Sequence, residues 1–166
     1  MDFADHLQYI IRAHRDYATS PRKALRYWDV QTPYSIHPIW CAMTLLTETS
    51  LPKGVRENGS IAQLYHDVLE ETTAKLPEDL PERTRYLVEQ MTFPGGSSQE
   101  MEEIWNRENE VKLLKLYDKV SNLLDGTWMD SDKSQQYRDY TKRLMGEVEA
   151  AYGELNIVRI ARAIIG

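Results

Sequence analysis

Apolar residues recur at helical spacing along most of the chain. Phe3, Leu7, Ile10, Ile11 and Tyr17 share that period and predict an amphipathic first helix near 3–18. From Thr19 to Ile36 the period fails; Pro21 and Pro33 bracket a stretch with Arg22, Lys23, Arg26, Tyr27 and Trp28 that reads as a long ordered loop, a type often used for function. After His37-Pro38 the apolar run Ile39 to Leu46, ended by Pro52 and Gly54, predicts a central buried helix. Asn58-Gly59-Ser60 reads as a turn that launches a second helix through Ile61 to Glu71. Pro77 and Pro81 break the chain before Tyr86, Leu87, Val88 and Met91. Pro94-Gly95-Gly96-Ser97-Ser98 reads as an exposed turn or mobile loop, suited to gating a site. Over 108–124, Val111, Leu113, Leu114, Leu116, Val120, Leu123 and Leu124 are spread too widely for a surface helix, which makes this element central and takes Asp118 into the interior. The stretch from Gln135 to Leu155 is charged with apolar punctuation, and Ile157 to Ile165 is apolar enough to dock on the body. With no repeat, low-complexity tract or strand-rich region, the expected fold class is all-α: a compact helical bundle of about six to eight helices.

Composition narrows the function classes. A chain of 166 residues is expected to form one domain, 1–166, with a core of its own. With 28% charged and 42% hydrophobic residues it is neither membrane-like nor biased towards disorder. The net charge of -6 leaves no footprint for general nucleic-acid binding, so an anionic ligand must be met by local cations. The single cysteine, Cys41, sits among apolar residues and is expected to be a buried structural thiol in a reducing compartment. The N-terminus has no signal-peptide pattern and no apolar run reaches membrane-spanning length, so a cytoplasmic protein without membrane contact is expected.

The chemistry starts from His66-Asp67, a dipeptide that carries little information alone. Adjacent residues on a helix diverge by about 100°, so both reach one ion only if it lies beside the helix, with further ligands from neighbouring helices. His37 and Asp118 qualify: both are polar residues among apolar ones, where an unpaired carboxylate is costly and a shared cation removes the cost. Imidazole and carboxylate without thiolate suit Mn²⁺ or Fe²⁺, with Zn²⁺ and Mg²⁺ open. Such an ion polarises phosphoryl oxygens and acidifies water, which is hydrolytic chemistry. Glu70, one helical turn after His66, is placed to orient or deprotonate that water. Plainer readings stand beside these: His37 as a helix cap, Asp118 as a surface partner of Lys115 or Lys119, Glu70 and Glu71 as a solvated helix end, and Arg22, Lys23 and Arg26 as a solvated loop. Trp28, Trp40, Trp105 and Trp128 read as core or rim residues.

Three segments together resemble a known family. Thr32-Pro33-Tyr34-Ser35-Ile36-His37-Pro38, Leu64-Tyr65-His66-Asp67-Val68-Leu69-Glu70-Glu71-Thr72 and Lys115-Leu116-Tyr117-Asp118-Lys119-Val120-Ser121-Asn122-Leu123 match, in order and spacing, the hydrolase domains of the RelA/SpoT group and their small single-domain relatives in the HD superfamily. Leu87-Val88-Glu89-Gln90-Met91-Thr92 looks like the family's intervening helix end, so the resemblance spans roughly residues 5 to 130. It implies a manganese-dependent hydrolase removing 3′-pyrophosphate from the alarmones ppGpp and pppGpp. Metal ligation falls to His37, His66, Asp67 and Asp118, the paired catalytic acids to Glu70 and Glu71, and nucleotide contact to Arg26 and Asn122. Three departures stand out: Glu71 where the family usually has Asp, Tyr27 in place of a lysine, and Leu124 in place of an arginine. A chain of this length is expected to lack the family's synthetase and regulatory domains, leaving degradation alone. An HD-type hydrolase of another nucleotide or deoxynucleotide phosphate, and a catalytically silent nucleotide-binding module, remain open alternatives.

Overall fold

The computed structural model describes residues Met1–Gly166 and contains helices and turns but no strand. The elements are α1 (Phe3–Asp16), α2 (Ile36–Leu46), α3 (Lys53–Tyr65), α4 (Val68–Glu71), α5 (Glu82–Met91), α6 (Gly96–Glu103), α7 (Asn109–Leu124), α8 (Ser131–Tyr152) and α9 (Asn156–Ile165). Single 3₁₀ turns cover Pro21–Ala24, Ile104–Asn106 and Gly126–Trp128. Helix starts follow local chemistry: Asp2 and Asp5 form a reciprocal capping box on α1, and the Asp130 side chain caps α8 by accepting from the Lys133 N–H. The α8 helix stops at Gly153, whose φ of 79° suits a residue without Cβ.

The axis of the bundle is α7. Every residue from Val111 to Ser121 is buried, and α2, α3, α5, α8 and α9 all pack on this helix. Leu113, Leu114, Leu116 and Val120 join one apolar core of 29 residues, where truncating a leucine to alanine typically costs about 2–5 kcal/mol. Buried Glu48 ties the far end together by accepting from Tyr117 Oη at 3.1 Å and from the Ile157 N–H at 2.9 Å, which seats the start of α9. Ile157, Val158 and Ala161 then dock as expected, and Cys41 is a buried thiol. The span from Thr19 to Ile36 is an ordered loop pinned by isolated bridges from Ala18 to Thr72 and from Leu25 to Pro33.

Three local expectations are corrected. Asn58-Gly59-Ser60 is no turn: α3 runs straight through it, because a Cβ at Gly59 would stand 3.0 Å from both Leu45 and Leu114, and glycine there lets α3 press onto α2 and α7. The helix expected from Ile61 to Glu71 breaks at His66-Asp67, leaving α4 as a separate turn. Pro94-Gly95 is a turn, but Gly96, at φ 71°, already begins α6 and Ser97 and Ser98 lie within it; Glu100 of this helix is buried.

Candidate active site

The break at His66-Asp67 solves the divergence problem of adjacent helical residues. His66 ends α3 with its Nδ1 2.7 Å from the Gln63 carbonyl, which fixes the proton there and turns Nε2 outwards as a free donor. His37, in the first turn of α2, has Nδ1 2.8 Å from Ser121 Oγ of α7, and its Nε2 meets that of His66 at 3.1 Å. Two imidazole Nε2 atoms in contact need a positive charge between them, either a proton or a cation.

Two carboxylates complete it. Asp67 Oδ2 lies 3.1 Å from His66 Nε2 and 3.4 Å from His37 Nε2, while Asp118 Oδ1 lies 3.4 Å and 3.8 Å from His37 and His66 respectively. Adjacent ligands of an octahedral ion with bonds of about 2.1 Å sit about 3.0 Å apart, so these separations suit a divalent cation. Ligand atoms of His37, His66 and Asp118 all lie within 4.8 Å of one another. Asp67 falls outside that trio, although its Oδ2 lies within 3.4 Å of both imidazoles. The donor set fits a bound metal. The field agrees: burial opposes charge on His66, but Asp67 and Asp118 outweigh it and lift the imidazolium to about 10. Burial also works against the Asp67 charge, yet His66 and His37 hold its carboxyl well below the usual range.

Around this cage the network is closed. Tyr34 donates its hydroxyl to Asp67 Oδ2 at 2.6 Å, and its ring stacks on buried His14 with centroids 4.8 Å apart. Asp118 Oδ2 sits 3.2 Å from Lys115 Nζ and 3.1 Å from Lys119 Nζ, and both ammonium groups also bind Glu100 Oε2 of α6, at 3.2 and 2.9 Å. The Asp118 carboxyl is held far below its ordinary range because Lys119 and Lys115 outweigh the effect of burial. Asp118 is therefore no surface partner of these lysines; all three are buried.

Above the cage opens a cleft of about 180 Å³ whose walls include Glu70, Glu71, Arg26, Asn122 and the two lysines. Glu70 accepts from the Phe93 N–H at 2.8 Å, and burial raises its carboxyl above the usual glutamate value. Glu71 is raised too, by burial and then by Asp67, with Lys23 Nζ 3.0 Å from Oε2 working the other way. Both acids face the cleft, so neither is a solvated helix end. Arg26 is buried; its guanidinium binds Asp125 at 2.7 and 2.9 Å and Asn122 Oδ1 at 2.8 Å, and lies over the Tyr34 ring. Asn122 Nδ2 in turn donates to Asp118 Oδ1 at 2.7 Å. Of the departures, Tyr27 lines the cleft, and Leu124 is exposed and absent from its walls.

No family model and no curated protein matches this chain. Among solved structures it is similar to a metazoan ortholog of SpoT that hydrolyzes ppGpp and plays a role in starvation responses. The likeness covers 98% of this chain and 92% of that one, at 25% identity and a TM-score of 0.72. This chain has the SpoT ortholog's fold. An HD-type helical bundle is thus the architecture on which the cage, the two acids and the cleft are mounted. No helix is long and apolar enough to cross a membrane.

Several wall residues of this site are not singled out by the sequence reading. Glu100 was hidden in a glycine-rich context. Lys115 and Lys119 were seen only as partners for an exposed Asp118. Tyr34 lies one helical turn before His37, which was a usable signal, and Asp125 lies at i+3 from Asn122 on the same helix face.

Proposed function

We propose that the chain is a metal-dependent phosphohydrolase that removes pyrophosphate from the 3′ position of the guanosine alarmones ppGpp and pppGpp. One observation carries this reading: His37, His66, Asp67 and Asp118 converge at the floor of a cleft that also presents Glu70, Glu71 and buried cations. The ppGpp hydrolysis of the similar SpoT ortholog supports the substrate. In this reading the four floor residues hold one ion, Mn²⁺ by the donor set, with Fe²⁺, Zn²⁺ and Mg²⁺ as its competitors. When bound, the ion supplies Lewis acidity to a phosphoryl oxygen and acidifies water. Glu70 orients that water and takes its proton, a task suited to a carboxyl raised by burial, and Glu71 supports it from the neighbouring position. Arg26 and Asn122 line the nucleotide side. The whole chain acts as one catalytic domain in the cytoplasm, with a small nucleotide as its partner and no general nucleic-acid or membrane contact.

A second reading has its own observation: with Tyr27 in place of a cation, the cleft mouth suits another nucleotide or deoxynucleotide phosphate. One experiment tests both. Metal-stripped protein is reloaded with each of the four ions and incubated with ppGpp, pppGpp and deoxynucleoside triphosphates, with products identified by mass spectrometry. The expected result is GDP or GTP plus pyrophosphate, fastest with Mn²⁺. Turnover of deoxynucleotides alone transfers the assignment to the second reading, and no turnover with any metal leaves a silent nucleotide-binding module.

A further inference from the structure

The residues expected to touch the nucleoside are engaged within the protein. Asn122 Oδ1 accepts from Arg26, and its Nδ2 donates to Asp118 Oδ1 at 2.7 Å and to Tyr137 Oη at 3.3 Å, so both amide hydrogens are spent within the protein. Arg26 commits Nε and Nη2 to Asp125 and Asn122. Donating to a base edge from the Asn122 amide means breaking the bond that also holds Asp118 in place. The same latch has a second effect. By tying residue 26 to the end of α7, it sets the next residue, Tyr27, against Trp128 of the following 3₁₀ turn. Their ring centroids are 5.3 Å apart with planes at 54°, both rings line the cleft, and both are only half-buried. Lys133 places its ammonium 4.5 Å from the Trp128 ring centroid, and Arg22 lies over Tyr27.

Resting on the nucleotide hydrolase reading, we infer that Tyr27 and Trp128 form an aromatic corner on which the nucleobase stacks, so that the enzyme selects its base by face and not by edge. The rings touch, which rules out a clamp with the base between them; the base lies along one ring and meets the other edge-on, the two favoured aromatic geometries. Lys133 is exposed, and its ammonium is free to move from the Trp128 face to a phosphate. Stacking accepts any base in proportion to its area, because every base has a π-face. Guanine and adenine should therefore be handled alike and uracil less well.

The test uses Mn²⁺-loaded full chain and nucleotides with identical 3′ and 5′ diphosphates on guanine, adenine or uracil, together with an abasic analogue. Wild type should show kcat/KM for the two purines within about tenfold. Tyr27→Ala and Trp128→Ala should each raise KM for purine nucleotides roughly 5- to 150-fold, leave kcat and the abasic analogue nearly unchanged, and be rescued by Tyr27→Phe and Trp128→Phe. A guanine preference above about a hundredfold, or equal loss on the abasic analogue, overturns the corner. Should wild type hydrolyse none of them, the hydrolase reading fails, and the same compounds measured by equilibrium binding still decide: purine affinity lost in Trp128→Ala upholds the corner, and affinity unchanged by that substitution, or no purine binding at all, overturns it.

Discussion

At the floor of the cleft, His37, His66, Asp67 and Asp118 are buried side chains whose polar atoms face each other across 3.1–3.8 Å. At its mouth, Tyr27, Trp128 and Lys133 are half-buried or exposed, and their mutual contacts are ring faces and one mobile ammonium. Burial makes the difference. An unpaired charge in the interior costs several kcal/mol, so each floor residue is held by its partners and cannot change alone. Mouth residues carry no such penalty, and a substitution there alters what the cleft admits while leaving the fold and the cage intact. Tyr27 and Leu124, the two departures from family cations, both lie outside the cage.

Asp118→Ala should have the largest effect, because this residue joins both parts of the floor. It removes a ligand oxygen facing the imidazoles and leaves Lys115 and Lys119 buried with Glu100 alone. Metal content should fall to background, and the metal-free protein should lose about 3–5 kcal/mol, the usual result of breaking a buried ion pair. Metal analysis and denaturant unfolding check the two parts. Full metal content in this variant would take Asp118 out of the cage. Next in size, Glu70→Gln should lower kcat by about 10²–10⁴-fold with metal content and folding unchanged, since proton transfer is worth that much and the amide keeps the shape. Near-normal turnover with metal bound would pass the role to Glu71, and loss of metal would make Glu70 a ligand.

The same division sets what could be read from the sequence. His37, His66 and Asp118 were legible because a polar group inside an apolar helical pattern needs a partner, and three such groups suggest one shared ion. The central position of α7 was legible from leucines distributed around its circumference. Less visible was everything whose burial depends on a distant segment. Lys115 and Lys119 look exposed until Glu100 of α6 closes the charge ring, and the start of α6 reads as loop from Pro94-Gly95-Gly96. Asn58-Gly59-Ser60 reads as a turn until Leu45 and Leu114 are found against Gly59. Trp128 is core or rim by composition; only the Arg26 latch brings it to Tyr27.

Tyr34→Phe probes the layer between floor and mouth. It deletes the hydroxyl that donates to Asp67 Oδ2 and keeps the ring against His14 and Arg26. A partner of this kind orients a ligand, and its loss typically costs 10–100-fold in metal affinity. A metal Kd raised by that factor is the expected outcome; an unchanged Kd would place Asp67 outside the cage.

The smallest effect separates the two acids. Burial and then Asp67 raise the Glu71 carboxyl, and Lys23, 3.0 Å away, restrains the rise. Glu70 lies in a different setting: burial raises it, Lys115 opposes, and the Phe93 N–H holds its Oε1. A catalytic base works only when deprotonated, so the acid limb of the kcat profile follows the carboxyl that does the work. Removing Lys23 takes away a restraint on Glu71, and its carboxyl then titrates at higher pH. The Lys23 side chain is 35% exposed, which limits the bridge to about 0.2–1 kcal/mol and keeps the upward movement small. With Glu70 as base, Lys23→Ala should move the acid limb less than with Glu71, because Lys23 bonds Glu71 and reaches Glu70 only through a weaker charge interaction. The larger upward movement in that variant, with kcat on the plateau unchanged, would assign the proton to Glu71.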